Sequence, residues 1–134
     1  TNARLVALNS KDGGQSWSSH ILIEGETDLG ALHSLQLLDA NGNGRLDIFT
    51  AEMELYIKDT DIVRRPTWNL LNNKGNLEFE RHIVFDENLG AHMGFAGKIS
   101  SPMGTDFVAK NCRANEDNAW EAVNHVVHIF GWTP

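Results

Sequence analysis

Asp39-Ala40-Asn41-Gly42-Asn43-Gly44-Arg45-Leu46-Asp47 is the stretch that decides the fold. Oxygen-bearing side chains recur at its first, third, fifth and ninth positions, as Asp39, Asn41, Asn43 and Asp47. The seventh, Arg45, is placed to lend its backbone carbonyl. Calcium is a hard cation that collects roughly six to eight oxygens, and a tight glycine-containing loop wraps them around it. Gly42 and Gly44 permit the positive backbone angles of such a loop. The spacing follows the front of an EF-hand, with glycine sixth, but Thr50 stands where a bidentate glutamate would close the site. The flanks, Leu35 to Leu38 and Leu46 to Phe49, are short and apolar in the manner of strands. The stretch is therefore expected to be a strand–loop–strand calcium site with Asp39, Asn41, Asn43, Arg45 and Asp47 as ligands. A metal-free Asx/Gly hairpin turn is the alternative. Two asparagines in the ligand set lower its charge and imply modest affinity, with the ion pinning a turn.

Working outward, the chain repeats itself. Arg4 to Asn9 resembles Thr67 to Asn72. Gly13 to Ile21 resembles Gly75 to Ile83, with Trp17 falling on Phe79. Leu29-Gly-Ala31 recurs as Leu89-Gly-Ala91, and Asp47-Ile-Phe as Asp106-Phe-Val. These matches, in the same order, define a unit of about 60 residues with small insertions. The unit contains four short strands, near His33 to Leu38, Leu46 to Ala51, Trp68 to Leu71 and Leu77 to Val84. In the last, Leu77, Phe79, Arg81 and Ile83 alternate with Glu78, Glu80 and His82, the period of a half-buried strand. Four antiparallel strands per repeat predict an all-β, propeller-type fold. Residues 1–28 form a partial blade, 29–88 a complete one and 89–134 a partial third, about two and a quarter blades in one repeat domain. In the third unit Gly97 to Lys110 replaces the first loop and strand, and Val126 to Phe130 is again a third strand. Ser100 to Gly104 lacks the other ligands beside Asp106, so no calcium is expected there. Asn115 to Val123 fits a short helical insertion.

A closed propeller needs at least about four blades. Either copies of the chain assemble into a homo-oligomer that closes the ring, the preferred expectation, or the chain is a fragment of a larger propeller.

Leu38 to Ile48 resembles the signature loop of FG-GAP/VCBS repeats. That resemblance implies calcium-binding propeller blades of the kind found in extracellular adhesion and polysaccharide-processing proteins. It carries the metal ligands onto Asp39, Asn41, Asn43, Arg45 and Asp47, and it implies an extracellular or periplasmic location. Ser10-Lys-Asp12-Gly-Gly14-Gln-Ser-Trp17 is similar to the Asp-box of sialidase-type propellers, a hairpin between third and fourth strands. Asp12 and Ser10 are suited to cap that turn's amides, with Trp17 packed beneath it.

The 134 residues carry a net charge of -7 with no run of lysine or arginine, which argues against nucleic acid and anionic membranes as partners. No apolar stretch is long enough for a membrane span. The single cysteine, Cys112, permits no intrachain disulfide. The start at Thr1 is compatible with a removed leader or with a piece of a longer chain.

Few residues suggest chemistry. Trp17 and Trp68 occupy repeat-equivalent apolar positions and are expected in the core, whereas Trp120 and Trp132 lie outside the pattern and could face a sugar or an oligomer interface. His20 and His82 are repeat equivalents expected to be structural. His33 and His92 head the innermost strands, which line the channel of a propeller, and are candidate ligand contacts. Glu52 follows a strand and is a candidate at the channel mouth, while Glu54, Asp59 and Asp61 read as solvated surface. His125 and His128 are spaced to point to opposite faces of a strand. No carboxylate pair, nucleophile elbow or phosphate-cradling loop stands out. A non-catalytic module binding carbohydrate or protein is the first expectation. Part of a polysaccharide-degrading enzyme (lyase or glycosidase) and a purely structural oligomeric propeller are the alternatives.

Overall fold

The computed structural model describes residues 4–23, 30–53, 66–86, 90–100, 102, 104–110 and 127–132. Among them the protein is all-β and every strand pairing is antiparallel. β1 (Leu5–Asn9) and β2 (Ser18–Ile23) make a two-stranded sheet. β3 (Leu32–Leu38), β4 (Asp47–Glu52), β5 (Trp68–Gly75) and β6 (Glu78–Phe85) make a four-stranded meander. β7 (Met93–Gly97), β8 (Thr105–Lys110) and β9 (Val127–Trp132) make a three-stranded one. No helix among the described residues is long and apolar enough to cross a membrane. The segment expected as a helical insertion, with Trp120, lies outside the described residues, as do Glu54, Asp59, Asp61, Cys112 and His125.

The four-stranded sheet lies between the other two. β4 is buried along its whole length, because both of its faces are covered. On one side Ile48 and Leu71 join Ile23, with Leu5 and Leu22 of the first sheet packed against them. On the other, Phe49, Ala51, Trp68 and Leu70 meet Ala91, Ala96, Phe107 and Ala109. Phe49 is the centre of this second core, with its ring 5.0 Å from that of Phe107 and 6.3 Å from that of Trp68. Gly94 allows the close approach: a Cβ there would lie 3.2 Å from both the Phe49 ring and Ser34 Oγ.

Polar side chains stitch β3 to the third sheet. Ser34 Oγ donates to Ala91 O (3.2 Å), and Thr105 Oγ1 donates to Ala40 O (2.9 Å). The Gln36 amide donates to Ala96 O and accepts from Ala96 N, both at 2.8 Å. Each bond removes a buried polar group from the unsatisfied state that would cost about 1–3 kcal/mol.

Two expectations need correction. Trp17 is not in the core but 62% exposed. It precedes β2 in the turn, where its ring lies over Gly14 and its Nε1 donates to Gly14 O (3.2 Å). Trp68, its companion in that expectation, is fully buried. Leu77 does not begin a strand. Asn76 (φ 54°) and Leu77 (φ 63°) form a two-residue turn with positive φ at both positions, the geometry that follows the twist of an antiparallel hairpin. The register also slips between Trp68 and Asn69, and Ile83 ends up exposed although its sequence phase is apolar.

Candidate metal loop and neighbouring polar sites

The Asp39–Asp47 loop joins β3 to β4, and its oxygens are turned onto its own backbone. Asp39 Oδ1 accepts from Asn43 N (3.0 Å) and Oδ2 from Gly44 N (2.8 Å). Asn41 Oδ1 accepts from Asn43 N (3.1 Å), and Asn43 Oδ1 from Arg45 N (2.9 Å). Gly42 (φ 74°) and Gly44 (φ 81°) supply the left-handed turns that curl the chain this tightly. Asp47 is fully buried. Its Oδ2 accepts from Ala40 N (3.0 Å) across the mouth of the loop, and its Oδ1 from Asn73 N (2.8 Å) on β5. The Asn73 amide returns to Leu46 O (3.0 Å), so loop and neighbouring strand are locked together.

Each of these carboxylate and amide oxygens accepts a backbone amide and has a second lone pair. The donor set, two carboxylates with amide and backbone oxygens, fits a hard cation and not a soft one. Among the described residues no three His, Cys, Asp or Glu side chains gather to hold a metal, so any ion here would depend on the asparagines and on backbone carbonyls.

In the third sheet Asp106 occupies the place of Asp47. Its Oδ2 accepts from Ile99 N and Ser100 N (both 2.7 Å), and its Oδ1 from Ser100 Oγ (2.6 Å). The Ser100 hydroxyl and these amides hold its carboxyl below the usual range. Asp12 does the same work in the first hairpin. It accepts from Ser16 Oγ (2.5 Å), Ser16 N (2.9 Å) and Ser10 Oγ (2.9 Å), which lowers its pKa to about 2. Ser10 Oγ in turn accepts from Gly14 N (2.7 Å). Both carboxyls are thus kept ionised by hydrogen bonds, the state that accepts and does not donate protons.

His33 and His92 come together. Their rings stack with centroids 4.2 Å apart and planes 25° from parallel, and His33 Nδ1 lies 2.8 Å from His92 O. A carbonyl can only accept, so Nδ1 carries the proton and the neutral ring keeps Nε2 as its acceptor. The pair sits where β3 and β7 begin, and His33 is exposed. Glu52 is placed differently. It is 2% exposed, and its carboxylate is held by Gly30 N, Thr67 N (2.6 Å) and Thr67 Oγ1 (2.5 Å). Its own backbone bonds Thr67 O (3.0 Å) and accepts from Ala91 N (2.8 Å). Glu52 is thus a clamp joining three segments. Its sequence signal was only an acid after a strand, and partners 22 residues before and 15 after it leave no local trace. For Trp132 the backbone position, at the end of β9 opposite Thr105, is described.

No protein-family model, curated protein or solved structure matches this chain.

Proposed function

We propose that the chain is a non-catalytic, calcium-stabilised module of propeller type that binds carbohydrate or protein. The observation that carries this is the β3–β4 loop, where backbone amides gather Asp39 and the fully buried Asp47 carboxylate into one tight turn of oxygen-bearing side chains. Backbone N–H groups already stabilise a buried carboxylate, and calcium at the adjacent lone pairs would add to that stabilisation. The resemblance of Leu38 to Ile48 to FG-GAP/VCBS loops supports the choice of ion. The stacking of three antiparallel sheets supports the propeller reading, since blades pack face to face in that way. An extracellular or periplasmic setting suits a site of modest affinity. The stacked His33–His92 pair, with His33 exposed and His92 half-buried where the first strands of two sheets begin, is the proposed ligand contact.

Calcium titrated into chelator-treated protein tests the proposal. With Kd near 0.1 mM, calcium at about 2 mM stabilises the native state by about 1.8 kcal/mol. For 134 residues unfolding entropy is about 0.28 kcal/mol/K, so the melting temperature should rise by about 6 °C. Asp39→Ala should abolish the rise. An unchanged melting temperature at millimolar calcium would leave the loop a plain Asx/Gly turn and remove the basis of the proposal. Retardation in gels cast with neutral polysaccharide, lost in His33→Ala, reads the carbohydrate arm.

A further inference from the structure

The two faces left uncovered at the ends of the sheet stack are the two halves of one junction. Asp47 pairs with Leu38 and Asp106 with Gly97, so Ser34 and Gln36 of β3 correspond to Met93 and Phe95 of β7. Ser34 and Gln36 lie on the face of the second sheet that receives the third. Their counterparts Met93 (56% exposed) and Phe95 (58% exposed) meet no further sheet among the described residues. At the other end, Asn9 corresponds to Asn72 in the repeat, so Leu8 corresponds to Leu71. Leu71 is fully buried where the second sheet docks on the first. Leu8 (64% exposed), with Val6 and its cross-strand partner Ile21, presents the same kind of face to solvent. The chain therefore makes this face-to-face junction twice internally and ends with one unused half on each side.

We infer that two copies of the chain close a ring, the Met93–Phe95 face of each seating on the Val6–Leu8–Ile21 face of the other. This rests on the propeller reading above. Head-to-tail faces generate a ring when the rotation closes, and propellers close at about four to eight blades. One chain supplies three sheets. Two chains supply twice three sheets, the outer ones partial, and at about two and a quarter blades per chain they reach that range, whereas one chain falls short. The occupant is a second copy because the matching half-junction is on this same chain.

Light scattering should give twice 14.9 kDa. Phe95→Asp and Leu8→Asp each replace an exposed side chain, so each variant should keep the wild-type near-UV circular dichroism. Each alone should lose association by roughly a hundredfold or more. Mixed one to one, they should recover a heterodimer, because the mixture retains one intact junction. A wild-type monomer at roughly 100 µM chain would overturn the inference, as would open polymers, or a dimer that both variants leave intact. Calcium-dependent melting of the same samples separates the two outcomes. A calcium-responsive monomer refutes the ring and leaves the metal loop standing, and a calcium-indifferent dimer does the reverse.

Discussion

Replacing Glu52 by glutamine should unfold much of the protein's stability without changing the shape of the side chain. The carboxylate accepts three hydrogen bonds, from Gly30 N, Thr67 N and Thr67 Oγ1, in a site that is 2% exposed. An amide keeps one oxygen. If its nitrogen faces Thr67, the hydroxyl can turn to accept, but the Thr67 N–H is left without an acceptor. If it faces Gly30, that N–H is orphaned. Either arrangement leaves one buried donor unsatisfied, at about 1–3 kcal/mol, and removes a charge-assisted bond worth about 1 kcal/mol beyond a neutral one. Glu52→Gln should therefore cost about 3 kcal/mol, and Glu52→Ala, which orphans all three donors and opens a void, about 4–5 kcal/mol. Against a total stability of about 5–15 kcal/mol these are large losses. Urea unfolding followed by tryptophan fluorescence, to which the buried Trp68 contributes, should show the midpoint falling by about 1.5 M for glutamine. A glutamine variant within about 0.5 kcal/mol of wild type would refute the clamp. If that variant also lost ligand binding, Glu52 would belong to the binding site and not to the frame.

Two further outcomes follow from the turns. Leu77→Gly should raise stability by about 1 kcal/mol, because a leucine held at φ 63° gives up its left-handed strain when the Cβ is removed; thermal melting reads this as a shift of about 3 °C, and a lower melting temperature would count against the turn geometry. The Asp12 carboxyl is easier to ionise in the folded chain, at about 2 against an ordinary 3.8. Its stabilisation is then complete above pH 3.8 and lost as pH falls through about 2. Asp12→Asn should flatten the acid limb of a stability profile across that window, and an unchanged slope would show that these bonds persist in the unfolded chain.

The parts of the fold that were legible in the sequence are those written in local pattern. The alternation of Leu77, Phe79 and Ile83 with Glu78, Glu80 and His82, and the recurrence of Leu-Gly-Ala and of Asp47-Ile-Phe as Asp106-Phe-Val, point to short antiparallel strands without reference to anything distant. The hairpin through Asp12 was legible for the same reason, since its hydrogen bonds span four residues or fewer. Trp17 misled because repeat equivalence transfers a position and not its neighbours. Its counterpart Phe79 packs beside Leu71 where the second sheet meets the first, while Trp17 is exposed in the turn before β2. Leu77 misled because only the backbone angles of Asn76 and Leu77 distinguish a turn centred there from one centred a residue earlier on Gly75. The meeting of His33 with His92, 59 residues apart, depends on how two sheets stack, which no periodicity along the chain encodes.

The Gln36 amide has a consequence for what happens when many chains are crowded together. β7 is an edge strand of its sheet, and at Ala96 both the N–H and the C=O bond the Gln36 side chain. Such a pair is the docking point at which a foreign strand begins to add to a sheet, the first step toward fibres. In this protein both atoms are already engaged by a side chain from the adjacent sheet, at the distances a strand itself would adopt. An arriving peptide must displace Gln36 before it gains anything, so the exposed flank of β7 is guarded against templated growth while its apolar face stays open.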